Sequence, residues 1–185
     1  MANADRPSGF MPVRHAFGGV IRANPWKIAD GYGTSIFTGD AVILTSGRVE
    51  QAGAESTVLL GVFAGCQYTL DTGEIKFSKY WPASTALLGT TTATAMVYDD
   101  PGIVFEVQTD TGTDFTDTTH IAGSYDIELD HAGSATTGQS GMEIDLGDTG
   151  QTQFFVLGLR DIPDNANGTN AKIEVMMRKC VLKLA

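Results

Sequence analysis

Ile103-Val104-Phe105-Glu106-Val107-Gln108-Thr109 decides the fold class. Ile103, Phe105 and Val107 recur at every second position, so an extended chain puts them on one side. Three more stretches keep that period: Tyr125-Asp126-Ile127-Glu128-Leu129-Asp130, Met142-Glu143-Ile144-Asp145-Leu146 and Lys172-Ile173-Glu174-Val175. A period of two marks antiparallel sheet with one buried and one solvated face. Asp126, Glu128 and Asp130 fall opposite the apolar set and are expected to face water. Past Val175 the phase breaks: Ile173, Val175 and Met177 share a face, but Cys180 and Leu182 have the other parity. A β-bulge near Arg178-Lys179 would restore it.

Upstream, residues 30–81 read as a compact β unit. Gly39-Asp40 turns into Ala41-Val42-Ile43-Leu44-Thr45, and Ser46-Gly47 turns into Arg48-Val49-Glu50. Thr57 to Ala64 is an almost unbroken apolar run, the pattern of a strand covered on both faces. Cys66 to Leu70 returns, and Asp71-Thr72-Gly73 turns into Ile75-Lys76-Phe77. Residues 82–97, rich in Thr and Ala, read as a connector with strand character at Met96-Val97-Tyr98. Asp99-Asp100-Pro101-Gly102 is a strong turn. Thr113 to Ala122 has room for one short helix, and Gly133–Gly141 and Pro163–Gly168 are loops. The expected fold is all-β: two small antiparallel units, barrel or sandwich like, at 30–97 and 98–185, the second acidic. Residues 1–29 carry Pro7, Pro12 and Pro25 with unphased aromatics and read as an extended N-terminal arm.

The net charge is −10, and it is unevenly spread. Twelve carboxylates lie between Tyr98 and Gly150, and no Lys or Arg lies between Lys79 and Arg160. The first 27 residues hold Arg6, Arg14, Arg22 and Lys27 against one acid, Asp5. A body of this sign repels phosphate chains, so no nucleic-acid partner is expected. No stretch approaches the ~20 apolar residues of a membrane helix, and no signal-peptide run opens the chain. Cys66 and Cys180 make neither a disulfide framework nor a metal pattern and read as buried thiols from a reducing compartment.

No reactive centre emerges, and neither an enzyme nor a cofactor is expected. Gly138-Gln139-Ser140-Gly141 has the wrong spacing for a nucleophile elbow. Gly31-Tyr32-Gly33 lacks the third glycine of a dinucleotide loop. His131 follows the Asp126/Glu128/Asp130 face, but alternate strand residues lie ~7 Å apart, too spread to hold one ion without other loops. Asp110-Thr111-Gly112-Thr113-Asp114 lacks the glycine and terminal acid of a calcium loop. His120 and His15 have no partner set, and no metal is expected.

Met1–Phe10, Thr38-Gly39-Asp40-Ala41-Val42, Leu60-Gly61-Val62-Phe63 and Tyr80-Trp81-Pro82-Ala83 resemble, in that order, segments of small virion proteins of tailed bacteriophages, marine and cyanobacterial ones especially. Thr137–Gly141, Gly158–Asn165 and Ala171–Val175 extend the resemblance over nearly the whole chain. It is similar to capsid cement or decoration proteins. That implies a homotrimer, made in the host cytoplasm, that sits on the outer capsid surface and clamps the major capsid protein. The resemblance carries over no catalytic residue. The expected contacts are Arg6, Arg14 and Arg22 for carboxylates, with Phe10, Phe17 and Trp26 for apolar area. Another virion role, a head-fibre base or a tail-tube or head–tail part, is the alternative; a carbohydrate-binding module ranks below it.

Overall fold

The computed structural model describes residues 3–182. It is nearly all β, with antiparallel ladders throughout. In the first sheet the strands run β1 (Met11–His15), β10 (Ile103–Gln108), β14 (Lys172–Met177), β13 (Phe154–Leu159), β11 (Ser124–Glu128), β12 (Glu143–Asp145). In the second they run β2 (Asn24–Ala29), β9 (Thr92–Tyr98), β6 (Gly61–Thr69), β4 (Ala41–Thr45), β5 (Arg48–Gln51), and β7 (Ile75–Ser78) hairpins onto the far end of β6. A small ladder joins β3 (Ile36–Phe37) to β8 (Tyr80–Trp81). The one-turn helix α1 (Asp117–His120) falls inside the stretch where a short helix was expected. Among the described residues no helix is long and apolar enough to cross a membrane.

The alternation does what its period dictates. Ile103, Phe105, Val107, Ile127, Ile144, Ile173 and Val175 all enter one core. The run from Thr57 is covered on both sides: Val62 joins that core, while Phe63 beside it joins a second core with Ile28, Trp81, Ala93 and Val97. Ala41, Ala52 and Leu59 also enter the first core, so the sheets pack as a sandwich rather than a closed barrel. Residues 30–97 supply most of the second sheet and 98–185 most of the first, with a core common to both.

Four expectations need correction. First, the extended N-terminal arm expected at 1–29 is, in its described part, built into both sheets. Residues 11–15 form β1 against β10, and 24–29 form β2 against β9. Proline sits at both edges, at Pro12 and Pro25, where a missing N–H costs no ladder bond. Second, the Thr/Ala connector contains β9, a strand held between β2 and β6. Ala93, Ala95 and Val97 alternate inward with no exposure, but alanine is a weak signal of both burial and strand. Third, no bulge restores β14. The strand ends at Met177, and the chain crosses to the second sheet, where the Leu59 N–H donates to the Lys179 carbonyl and Cys180 is buried. The register shifts lie elsewhere, in the β1, β6 and β13 pairings. Fourth, the acid face is not all solvated. Asp126 is fully buried, its carboxylate accepting the backbone N–H groups of Gln151 and Gln153 at 2.6 and 3.1 Å.

Candidate functional site

Two features stand out once the strands are in place: the crossing between the sheets and a histidine–carboxylate cluster. At the crossing, the loop from β1 to β2 runs beside the turn from β9 to β10. Asp99, 1% exposed, receives Asn24 Nδ2 at 2.7 Å and Trp26 Nε1 at 2.8 Å, pinning β2. The Ala16 N–H donates to the Gly102 carbonyl. His15 organises the loop itself. Its Nδ1 accepts the N–H groups of Phe17 and Gly19 at 3.2 and 3.0 Å, which leaves the ring proton for Nε2, 3.2 Å from Asp100 Oδ2. A Cβ on Gly19 would come within 2.9 Å of that ring, so only glycine lets the loop close over it. The result is a tied-down loop that presents Phe17 at 82% and Val20 at 69% exposure, with Arg22 in solvent beside them.

The six expected contact residues are therefore divided. Phe10 is fully buried, stacked on Phe154 at 4.2 Å between centroids. Trp26 is half-buried on Asp99. Arg14 is bound within its own sheet, where Glu106 and Glu174 face each other across β10 and β14. Their like charges would repel, and three cations offset them. Arg14 reaches Glu174 at 2.7 Å, Arg160 bridges Glu174 and Glu106 at 2.8 and 3.2 Å, and Lys172 reaches Glu106 at 3.3 Å. Burial acts to raise the Glu174 carboxyl, but Arg14 and Arg160 outweigh it and hold it below its usual value. The Arg6 side chain is exposed, while the backbone N–H of Arg6 donates to Gln108 Oε1. Phe17, Arg22 and Arg6 leave their side chains to the solvent, and Arg14 is half-exposed but ion-paired to Glu174.

The second feature gathers residues far apart in the chain. Glu143, on β12 and 2% exposed, takes His131 Nδ1 at 2.7 Å on one oxygen and Gln108 Nε2 at 3.1 Å on the other. Gln108 Nε2 also donates to Asp5 Oδ1 at 3.1 Å, and Asp5 Oδ2 lies 3.8 Å from His131 Nε2. One ligand atom from each of Asp5, His131 and Glu143 lies within 4.8 Å of the others. Burial lifts the Glu143 carboxyl to about 7, against the pull of His131. The hydrogen bond that His131 donates to Glu143 raises the imidazole in turn. His131 thus finds Asp5 and Glu143, not Asp126, Glu128 or Asp130, because the loop after β11 folds back across β12. The glycines of Gly133–Gly141 are the one sequence sign of that close packing: a Cβ at Gly141 would strike the His131 and Ala132 carbonyls.

The other reactive-looking groups are buried and bonded within the fold. His120 is buried against Phe115 with Nδ1 accepting the Thr116 N–H. Ser140 Oγ accepts the Met142 N–H. Gln153, which carried no signal, is fully buried; its Nε2 lies within bonding distance of the carbonyls of Gly53, Ala54 and Ser56, fastening one half of the chain to the other. Outside these, Phe77 and Ile75 on β7 are 78% and 58% exposed beside a groove with Met96. Comparison with known protein families, curated proteins and solved structures finds no match for this chain.

Proposed function

We propose that this protein is a non-catalytic structural subunit that attaches to the outer surface of a tailed-phage capsid as a cement or decoration protein, touching the major capsid protein and further copies of itself. The observation that carries the reading is the crossing loop. A mobile loop that exposes Phe17 and Val20 would forfeit ordering entropy on binding, whereas this one is already held by His15 and Gly102. Exposed apolar side chains on an ordered, arginine-flanked loop suit docking onto another protein surface. The acidic body and stiff sandwich suit a subunit that must stay soluble before it is repeated over a shell, where avidity multiplies weak contacts. A homotrimer is the assembly expected.

The test is rebinding of purified protein to particles stripped of it. Phe17→Asp should keep the β circular dichroism and lose most rebinding; undiminished rebinding, or no binding by the parent protein, would sink the reading. A second reading, a self-polymerising tail-tube or head–tail part, draws on the apolar β7 edge with Ile75 and Phe77 exposed, since an open edge invites strand addition. Rings or tubes of the pure protein under the electron microscope would favour it instead.

A further inference from the structure

Among the described ion pairs, the two acidic groupings of the first sheet are neutralised differently. Glu106 and Glu174 share Arg14, Arg160 and Lys172. Asp5 and Glu143 share one imidazole, His131. Yet Glu143 is the more buried acid, its side chain 3% exposed against 14% and 19% for Glu174 and Glu106. A carboxylate taken out of water and set near a second one calls for a cation. The described ion pairs give Glu143 no Lys or Arg, only the His131 imidazole.

We propose that Asp5, His131 and Glu143 form a binding site for one divalent transition-metal ion of the Zn2+ type. The donor set is an imidazole nitrogen and two carboxylate oxygens, which suits a borderline ion such as Zn2+ better than Ca2+, whose sites are all oxygen. Two of the three ligands are free to adjust. His131 and Asp5 are each 43% exposed at the side chain, on a loop and on the segment ahead of β1, while Glu143 is fixed in β12. Metal bonds of ~2 Å require the ligand atoms, now within 4.8 Å of one another, to draw together and one ring nitrogen of His131 to give up its present contact, an adjustment the two exposed ligands can make while the sheet stays in place. Gln108 already orients both carboxylates from behind, the outer-shell support that metal ligands commonly receive. Water or a ligand atom from a neighbouring protein would complete the coordination. The ion would stitch three separate stretches together: the segment ahead of β1, the loop after β11, and β12.

The experiment is calorimetric titration of chelator-treated full-length protein with Zn2+ alone, and separately with Ca2+ alone. One saturable Zn2+ site is expected, with Ca2+ at least about tenfold weaker, and with slower amide exchange over residues 3–10 when Zn2+ is bound. Asp5→Asn and His131→Ala, both at exposed side chains and checked for folding by circular dichroism, should each weaken binding by at least about tenfold. The site is refuted by three results: no saturable binding at millimolar Zn2+, affinity unchanged in both variants, or binding removed by His15→Ala instead.

Discussion

Phe10 and Phe17 belong to one short stretch of proline, glycine and scattered aromatics, yet one is sealed against Phe154 and the other stands in solvent. Hydrophobicity does not separate them. Phe10 directly precedes β1, and its N–H is bonded to the Gly39 carbonyl, so its side chain is delivered between the sheets. Phe17 follows β1, where the chain leaves one sheet for the other and no ladder directs it inward. Backbone pairing decides which aromatic builds the core and which remains for a partner.

The strongest way to break this comparison is to truncate both rings. Phe10→Ala should cost about 3–5 kcal/mol in urea unfolding; a loss no larger than that of Phe17→Ala would mean that the segment ahead of β1 is not part of the core. Next in size is Gly9→Ala. Gly9 has φ of +69°, and a Cβ there would lie 2.6 Å from the Gly39 carbonyl oxygen and against Ser140. A destabilisation of about 1–3 kcal/mol is expected, and a neutral result would show that Phe10 can reseat without that backbone path.

Smaller still is the effect of acid on β1. The folded-state value of Glu174 lies below its unfolded one, so its pairing with Arg14 and Arg160 contributes fully above about pH 4.5 and is lost as the pH falls through the lowered value. Arg14 is half-exposed, so solvent screening keeps its share under about 1 kcal/mol. The protection of the Met11–His15 amides relative to an unstructured chain should fall in the parent protein as the pH drops below the ordinary glutamate range, and Arg14→Ala should already exchange faster at neutral pH. Equal rates at neutral pH would show that the ladder to β10 alone holds β1. The smallest effect on stability belongs to Phe17→Ala, within about 0.5 kcal/mol, although particle rebinding should fall sharply. A large loss of stability would place the ring in the fold rather than at a contact.

The strands that alternate Ile, Val and Phe with polar residues were legible, because burial there is written in every second residue. β9 was not, since Ala93 and Ala95 hide an alternation that their neighbours Ile28 and Trp81 complete only in space. Nor could composition show that Arg14 would be taken by Glu174, a partner found only when β1 lies beside β10 and β14. The cluster at Glu143 was half legible. Period two put that carboxylate on the outer face, but nothing local said that the loop holding His131 and the segment holding Asp5 would cover it.

The strand order has a consequence for synthesis. β1 has no partner until Ile103–Gln108 is made, and β2 none until Thr92–Tyr98 is made. The gap between β10 and β13 stays open until Lys172–Met177 has been translated to fill it. The first sheet therefore cannot zip progressively behind the ribosome. Its earliest strand waits as an unpaired apolar edge, and its closure is a slow, long-range event in which the last strand to emerge inserts between two that are already present.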